Sequence, residues 1–352
     1  MIKKAGMVQV NYTLADVARE LGISSTAVSM ALRNTGGVSD ELQKKVLEKA
    51  QEMNYAPALA ARVLRGKYTG QLGLNLSQAD VRTLEESEGF YLPLITHFVH
   101  QCEAIRYSYH IELSGKEETF KAPSQLVGRL VDGILLAGKP DGRLLEWLAI
   151  NPTYKWVSVM EPAEHCVLSA NSSGIYRAVE HLAALGHRDI ALVHCDIEFD
   201  VHAAARKGYC QAVKDFNLNA APHLCQELRS TPKREFLVNI QEWCDYIMRE
   251  EHRPTAIICN DIKMAHALII KAAALGLKIP EDLSIIAYGT RAGAERLLPF
   301  ISTVEADFAA IMEKSINLLI RLIRDTPIPE KQLTVEPKLV IRDTVMPPST
   351  KH

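Results

Sequence analysis

The residue types able to do chemistry are unevenly placed along the 352 residues. Ten of the 40 lysines and arginines fall in residues 1–67 against six acids, a net +4; the remaining 285 residues carry 30 against 36, a net −6. A basic head on an acidic body suits contact with phosphates at one end, while the body's acidity discourages indiscriminate adhesion to polyanions. Lys3, Lys4, Arg33, Lys44, Lys45, Arg62, Arg65 and Lys67 are the candidate cations.

Other chemistries fail on spacing. Gly133–Pro140 nearly spells a nucleotide phosphate loop, but Pro140 stands where a magnesium-holding hydroxyl is needed and supplies no amide. No Gly-x-Gly-x-x-Gly follows a strand pattern, and no Gly-x-Ser-x-Gly elbow occurs. His97 and His100 share a helical pattern without an acidic or cysteine partner nearby. The seven cysteines are scattered and never spaced Cys-x-x-Cys, which argues for reduced thiols in a cytoplasm and against zinc. No enzyme activity, cofactor or metal is expected.

The elements that must position the basic groups begin at Thr13. Thr13 with Asp16 forms a capping pair, and Leu14, Val17, Ala18 and Leu21 recur at helical spacing. Gly22 ends that helix, Ser24 caps a second, and Val28, Ala31 and Leu32 form its apolar face. Ala18 lets two steeply crossing helices approach, and Gly22 tolerates a left-handed turn: the layout of a helix-turn-helix. A third helix follows Ser39, with Leu42, Val46, Ala50 and Met53 facing inward. Tyr55–Gly66 then reads as a very short helix with Pro57 near its start and Gly66 past its end, marginal unless something holds it.

Thr13 to Gly66 resembles the headpiece and hinge helix of the lactose-repressor-type (LacI/GalR) bacterial transcription regulators. The resemblance continues through Val131-Asp132-Gly133-Ile134, Glu180–Arg188, Pro254-Thr255-Ala256, Asn260-Asp261, and Leu339 with Arg342. It implies a homodimer on a near-palindromic double-stranded DNA operator, with two recognition helices in successive major grooves. The implied base-reading positions are Ser25, Thr26 and Met30; Thr13, Ser24 and Ser29, with Lys44 and Lys45, become phosphate or capping groups. Ala61, Arg62 and Leu64 become the hinge's minor-groove face, Leu64 the wedge that unstacks a base step. Ser, Thr and Met give no bidentate purine contact, so specificity is expected to lean on the kinked centre.

From residue 68 onward, short apolar runs alternate with amphipathic stretches. The runs Leu72–Leu76, Gly133–Ala137, Trp156–Met160, Ile190–His194, Ala256–Cys259 and Leu283–Tyr288 read as buried parallel strands. Tyr176–Leu185, Ala203–Phe216, Asp261–Leu275 and Asp307–Ile323 read as helices. The predicted fold is α/β: an N-terminal helix-turn-helix headpiece at 1–56, hinge helix and linker at 57–70, and a two-lobed doubly wound body at 71–352. The resemblance makes that body periplasmic-binding-protein-like, with a small effector in its cleft. No apolar run is long enough for a bilayer, and residues 1–12 lack a signal core, so neither membrane contact nor export is expected.

The pocket departs from the family. Ala205 stands where the family's sugar-gripping Arg is expected, Gly289 where a ligand-binding Asp is, and Ala170-Asn171 replaces Asp-Asn. Ser77, Ser173, Asn260 and Asp261 remain as candidate effector groups, with Arg206 joining them if the register slips by one. Two outcomes stay open: an unusual effector (a sugar or related metabolite), or a pocket that has lost ligand control and answers to a protein partner or to nothing. Asn260 and Asp261 also read as the cap and first turn of the following helix, Phe90 and Tyr91 as core, and the acidic stretch 79–89 as a solvated loop.

Overall fold

The computed structural model describes residues 14–33, 37–53, 68–77, 90–114, 119–194, 199–228, 236–249, 253–296 and 298–349. The chain divides into two compact units, Met1–Thr69 and Gly70–His352. Thr13, the hinge positions Ala61, Arg62 and Leu64, and the acidic stretch 79–89 lie outside the described residues.

In the first unit, α1 (Leu14–Leu21) ends at Gly22, whose φ of +65° is the left-handed conformation glycine adopts without strain. Two bonds fasten the turn: Ile23 N–H to the Ala18 carbonyl (3.0 Å) and Gly22 N–H to the Arg19 carbonyl (3.2 Å). The Ser24 hydroxyl accepts from Ala27 N–H (3.1 Å) and starts α2 (Ser25–Arg33); Ser39 accepts from Leu42 N–H (3.3 Å) and starts α3 (Asp40–Glu52). Val17, Ala18, Val28, Ala31 and Val46 form the buried centre, ringed by Leu14, Leu21, Ile23, Leu32, Val38, Leu42 and Met53. So small a core leaves little stability in reserve.

The second unit holds two six-stranded sheets. Its elements run β1 (Gln71–Ser77), α4 (Tyr91–Ala104), β2 (Ser108–Ser114), α5 (Ser124–Val127), β3 (Gly133–Ala137), α6 (Gly142–Ile150), β4 (Lys155–Val159) and β5 (Cys166–Ser169). Then come α7 (Asn171–Ala184), β6 (Ile190–His194), α8 (Asp200–Asp215), β7 (Cys225–Glu227), α9 (Phe236–Ile247), β8 (Ala256–Cys259) and α10 (Ile262–Ala274). The last are β9 (Ser284–Gly289), α11 (Arg291–Ala294), β10 (Ser302–Glu305), α12 (Phe308–Ile323), β11 (Gln332–Val335) and β12 (Lys338–Val340).

The first sheet has the order β11-β5-β4-β3-β1-β2 and is parallel throughout; the second, β12-β10-β9-β8-β6-β7, is parallel except for β12. Strands buried on both faces must be apolar along their length, which is why β3 and β8 read as unbroken runs. The six expected strands and four expected helices are all present, α7 and α8 each beginning a turn or so earlier than their apolar pattern.

The chain changes lobe three times. It leaves the first at Ala170 and returns through Ala306 into α12, whose Phe308, Ile311, Met312 and Leu319 join the first lobe's core. After β11 it leaves again at Glu336–Pro337. The tail is pinned to the second lobe by Arg342, which donates to Glu305 (2.7 Å) and the Ile301 carbonyl (3.1 Å), and by His187, which bridges Thr255 (2.9 Å) and the Met346 carbonyl (2.8 Å).

Candidate nucleic-acid interface and ligand cleft

On the headpiece, Val28 and Ala31 turn α2's inner face to the core, so its other face is presented outward. Ser25 and Thr26 are exposed in the first turn; Ser29 and Met30 lie half-buried one turn on, at i+4 from each. The four therefore form one stripe. Met30 is not wholly free of the fold, because its side chain rests against Gly37, where a Cβ would collide with it. Lys44 and Lys45 are exposed on α3, with Lys45 paired to Glu41 at 2.9 Å. That contact raises the Lys45 pKa and lowers Glu41's. Ser24 is a cap, as its hydrogen bond shows.

In the body, strand C-termini of both lobes converge on the start of α8. Met160, at φ +67°, turns the chain out of β4 and delivers Glu161 to that point. Three contacts follow in sequence along the first turn of α8. Asp200 N–H donates to Glu161 Oε1 (3.2 Å); Val201 carbonyl accepts from Asn171 Nδ2 (3.3 Å); His202 Nδ1 lies 2.7 Å from Asn260 Nδ2. Glu161 comes from the first lobe, Asn171 from the crossover, and Asn260 from the end of β8. The N-terminus of α8 is thus tied to both lobes at once.

This junction is electrostatically tense. Burial pushes the Glu161 carboxyl up to about 7, against the stabilising Asp200 N–H; the Asp200 charge adds to the rise and Lys139 opposes it. Burial also raises Asp200, and raises Asp261 against the N–H of Lys263 that it accepts at 2.7 Å. Several polar atoms are buried without an aligned partner among the described residues: Ser169 Oγ, Asn171 Oδ1, Asn260 Oδ1 and Tyr288 OH. The Tyr288 hydroxyl faces Ser169 and Asn171, and its burial pushes it up to about 12. Native structures rarely leave such groups unsatisfied unless something else meets them.

The expected effector residues do not all gather here. Asn260 is at the junction. Asp261 beside it caps α10, so the cap falls one residue later than the expected Asn260. Ser77 ends β1, buried, its hydroxyl donating to Asn75 (3.3 Å) and its carbonyl accepting from Tyr91 (3.3 Å). Ser173 points instead to the last crossover, donating to Glu336 (2.8 Å). Ala205 is fully buried in the second lobe's core, and Arg206 is exposed on the other side of α8, against Cys225. Phe90 and Tyr91 are core-side, stacked edge-on with centroids 5.0 Å apart. Glu161, His202 and Ser169 escaped the sequence reading; the signal for Glu161 was a lone acid closing the apolar run Val157–Met160.

Comparison with known proteins then speaks to both parts. Residues 13–58 match the model for bacterial regulatory proteins of the lacI family, and residues 179–345 that for a periplasmic binding protein-like domain. The chain joins a lacI-family DNA-binding headpiece to a periplasmic binding protein-like domain. Its relatives include the HTH-type transcriptional repressor PurR of Vibrio vulnificus (strain CMCP6), 27% identical over 350 residues, covering 95% of this chain and 98% of the relative. The same-named repressor of Pasteurella multocida (strain Pm70) is 27% identical over 343 residues, with 95% and 98% covered.

Among solved structures, the lac repressor dimer bound to operator and the anti-inducer ONPF superposes with a TM-score of 0.74 at 18% identity, covering 96% of this chain and 100% of that one. The transcriptional regulator CelR–cellobiose complex gives 0.68 at 20%, with 95% and 100% covered. At these identities the likeness speaks for the fold: a helix-turn-helix headpiece and a two-lobed body of parallel sheets. With its lacI-family headpiece the chain is a DNA-binding transcriptional regulator of the repressor type, similar to the PurR repressors. No helix among the described residues is long and apolar enough to cross a membrane.

Proposed function

We propose that two copies of this chain repress transcription from a near-palindromic operator, with Ser25, Thr26 and Met30 of each copy reading base edges in the major groove. The outward stripe on α2 carries this reading: the exposed hydroxyls of Ser25 and Thr26 and the half-buried thioether of Met30, on a helix whose opposite face is buried in a three-helix core. Ser29, Lys44, Lys45 and Thr13 contact phosphates. Ala61, Arg62 and Leu64 supply the minor-groove face of the hinge, Leu64 as an apolar wedge.

A small ligand in the interlobe cleft adjusts the spacing of the two heads. What supports a ligand is the junction at the first turn of α8, where Asn171 Oδ1 and Asn260 Oδ1 are buried without an aligned partner among the described residues. Asn171 Oδ1 and Asn260 Oδ1 are acceptors, so the matching ligand presents hydrogen-bond donors to them, with Ser77 and Asp261 at neighbouring strand ends. A second reading, in which a protein partner controls the chain or nothing does, draws on Ala170, Ala205 and Gly289 at positions where the family places gripping groups.

The test is enrichment of genomic DNA fragments by the full-length protein at moderate salt. Leu64→Ala should weaken operator binding by about 1–3 kcal/mol and reduce the DNA bend measured by FRET. A monomeric chain with no fragment preference over bulk competitor overturns the DNA reading. Operator binding that ignores every sugar, nucleoside and amine in a thermal-shift panel favours the second reading of the cleft.

A further inference from the structure

Between the exposed side of α8 and the start of β7 lies a pair of thiols that the regulator's function does not use. Cys210 is exposed there, and Cys225, at the start of β7, is half-buried. The Cys225 thiol lies close enough to the Cys210 thiol and the Arg206 guanidinium for both to act on its titration. The approach is held in place by the residues just before each cysteine. The Tyr209 hydroxyl is buried between the Leu224 carbonyl (3.1 Å) and the Ile190 carbonyl (2.8 Å), fastening helix to strand beside the pair.

Access and charge complete the arrangement. Cys210 lines a shallow open depression of about 280 Å³ with Ala203, Arg206 and Lys207, so small oxidants reach it and two cations stand at its rim. The neighbouring guanidinium favours the thiolate of Cys225, opposing the rise that its partial burial causes. Four other cysteines differ in kind. Cys102, Cys166, Cys244 and Cys259 are buried, and burial pushes Cys102 and Cys244 up to about 12. Those are packing groups.

We propose that Cys210 and Cys225 form a reversible redox pair, in which a hydroperoxide oxidises Cys210 and Cys225 closes a disulfide between α8 and β7. In the first step the Cys210 thiolate attacks a peroxide oxygen: an S–O bond forms, the O–O bond breaks, and the departing oxygen takes a proton to leave as water (from hydrogen peroxide). In the second, the Cys225 thiolate attacks the sulfenic sulfur: the S–S bond forms, the S–O bond breaks, and hydroxide leaves with a proton as a second water. Two thiols lose two electrons and two protons, and the peroxide is reduced. A dithiol reductant reverses the bridge by thiol–disulfide exchange. The bridge fastens a three-residue edge strand to the helix whose first turn reaches the cleft.

The experiment treats the full-length protein with hydrogen peroxide, blocks remaining thiols with an alkylating agent, and maps the peptides by mass spectrometry. The expected product is a Cys210–Cys225 linked peptide, two hydrogens lighter than its reduced parts, which dithiothreitol removes. Cys225→Ser should leave Cys210 as a sulfenic acid trapped by dimedone, and Cys210→Ser should abolish both species. Thermal melts of the two variants matching the parent show that each folds. Overoxidation of Cys210 in the parent without the linked peptide overturns the proposal, as does a linkage that recruits Cys195 in place of either partner.

Discussion

Replacing Glu161 by Gln tests whether the lobe junction is as tense as its geometry implies. The Glu161 carboxyl rises from an ordinary value near 4.5 to about 7, chiefly through burial. Because the folded state holds this proton more tightly than the unfolded state, stability contributed by the group is greatest below 4.5. It is lost as pH rises through the window from 4.5 to about 7, and the loss levels off above that. At about 1.4 kcal/mol per pH unit the full loss is about 3 kcal/mol, less whatever a partial opening of the cleft relieves by hydrating the carboxylate.

Glutamine keeps an oxygen for the Asp200 N–H and cannot ionise. The groups facing the position, Asp200 on α8, Lys139 after β3 and Tyr91 on α4, remain in both proteins. Glu161→Gln should therefore exceed the parent by a little under about 1 kcal/mol at pH 5 and by up to about 3 kcal/mol at pH 8, the latter roughly 5 °C in melting temperature for a unit of this size. Paired urea and thermal denaturation series at half-unit steps from pH 5 to 8 measure the gap. A gap that stays constant across that range refutes the buried-carboxylate account.

Three further outcomes follow from packing and pairing. Gly208→Ala should destabilise the body by about 3 kcal/mol, because the added methyl would run into the Ser172 backbone carbonyl where α8 crosses α7; calorimetry checks it. Ala31→Leu overfills the fully buried centre of the headpiece and should cost it about 1–3 kcal/mol, so operator affinity falls while the body's melting transition stays put. Arg342→Ala strands Glu305 in a largely buried pair and should cost about 3 kcal/mol by urea denaturation; the Arg342→Ala, Glu305→Ala double variant should recover part of that loss.

Much of the fold was legible because its signals are local or periodic. Gly22 with Ser24 wrote the headpiece turn, and doubly buried strands such as Ile190–His194 wrote themselves as apolar runs. β2 was not legible: at the sheet edge, Ser108–Ser114 mixes Ser, His and Glu with its apolar residues and offers no continuous run. Short strands at the crossovers, such as Lys338–Val340, carry too few residues for a period. The cleft was less readable than the headpiece for a physical reason. Ser25 and Thr26 belong to one helix, whereas the junction joins Glu161, Asn171, Asp200–His202 and Asn260, brought together only by two sheets and a crossover. The same separation explains Arg206: one step past the buried Ala205, a helix rotates the next side chain away, and no one-residue slip delivers it to Asn260.

The chain's three changes of lobe decide what can be cut from this protein. The first lobe borrows β11 from near the far end of the sequence and α12 from just before it, so no continuous fragment ending short of residue 335 holds that sheet whole. Trimming from the C-terminal side to Ile323 strips an edge strand from both sheets together. During synthesis the headpiece can fold while the ribosome is still far downstream, whereas the body's first sheet must wait for nearly the entire polypeptide to emerge. Dissection of this regulator into separately expressed lobes therefore calls for permuted or spliced chains.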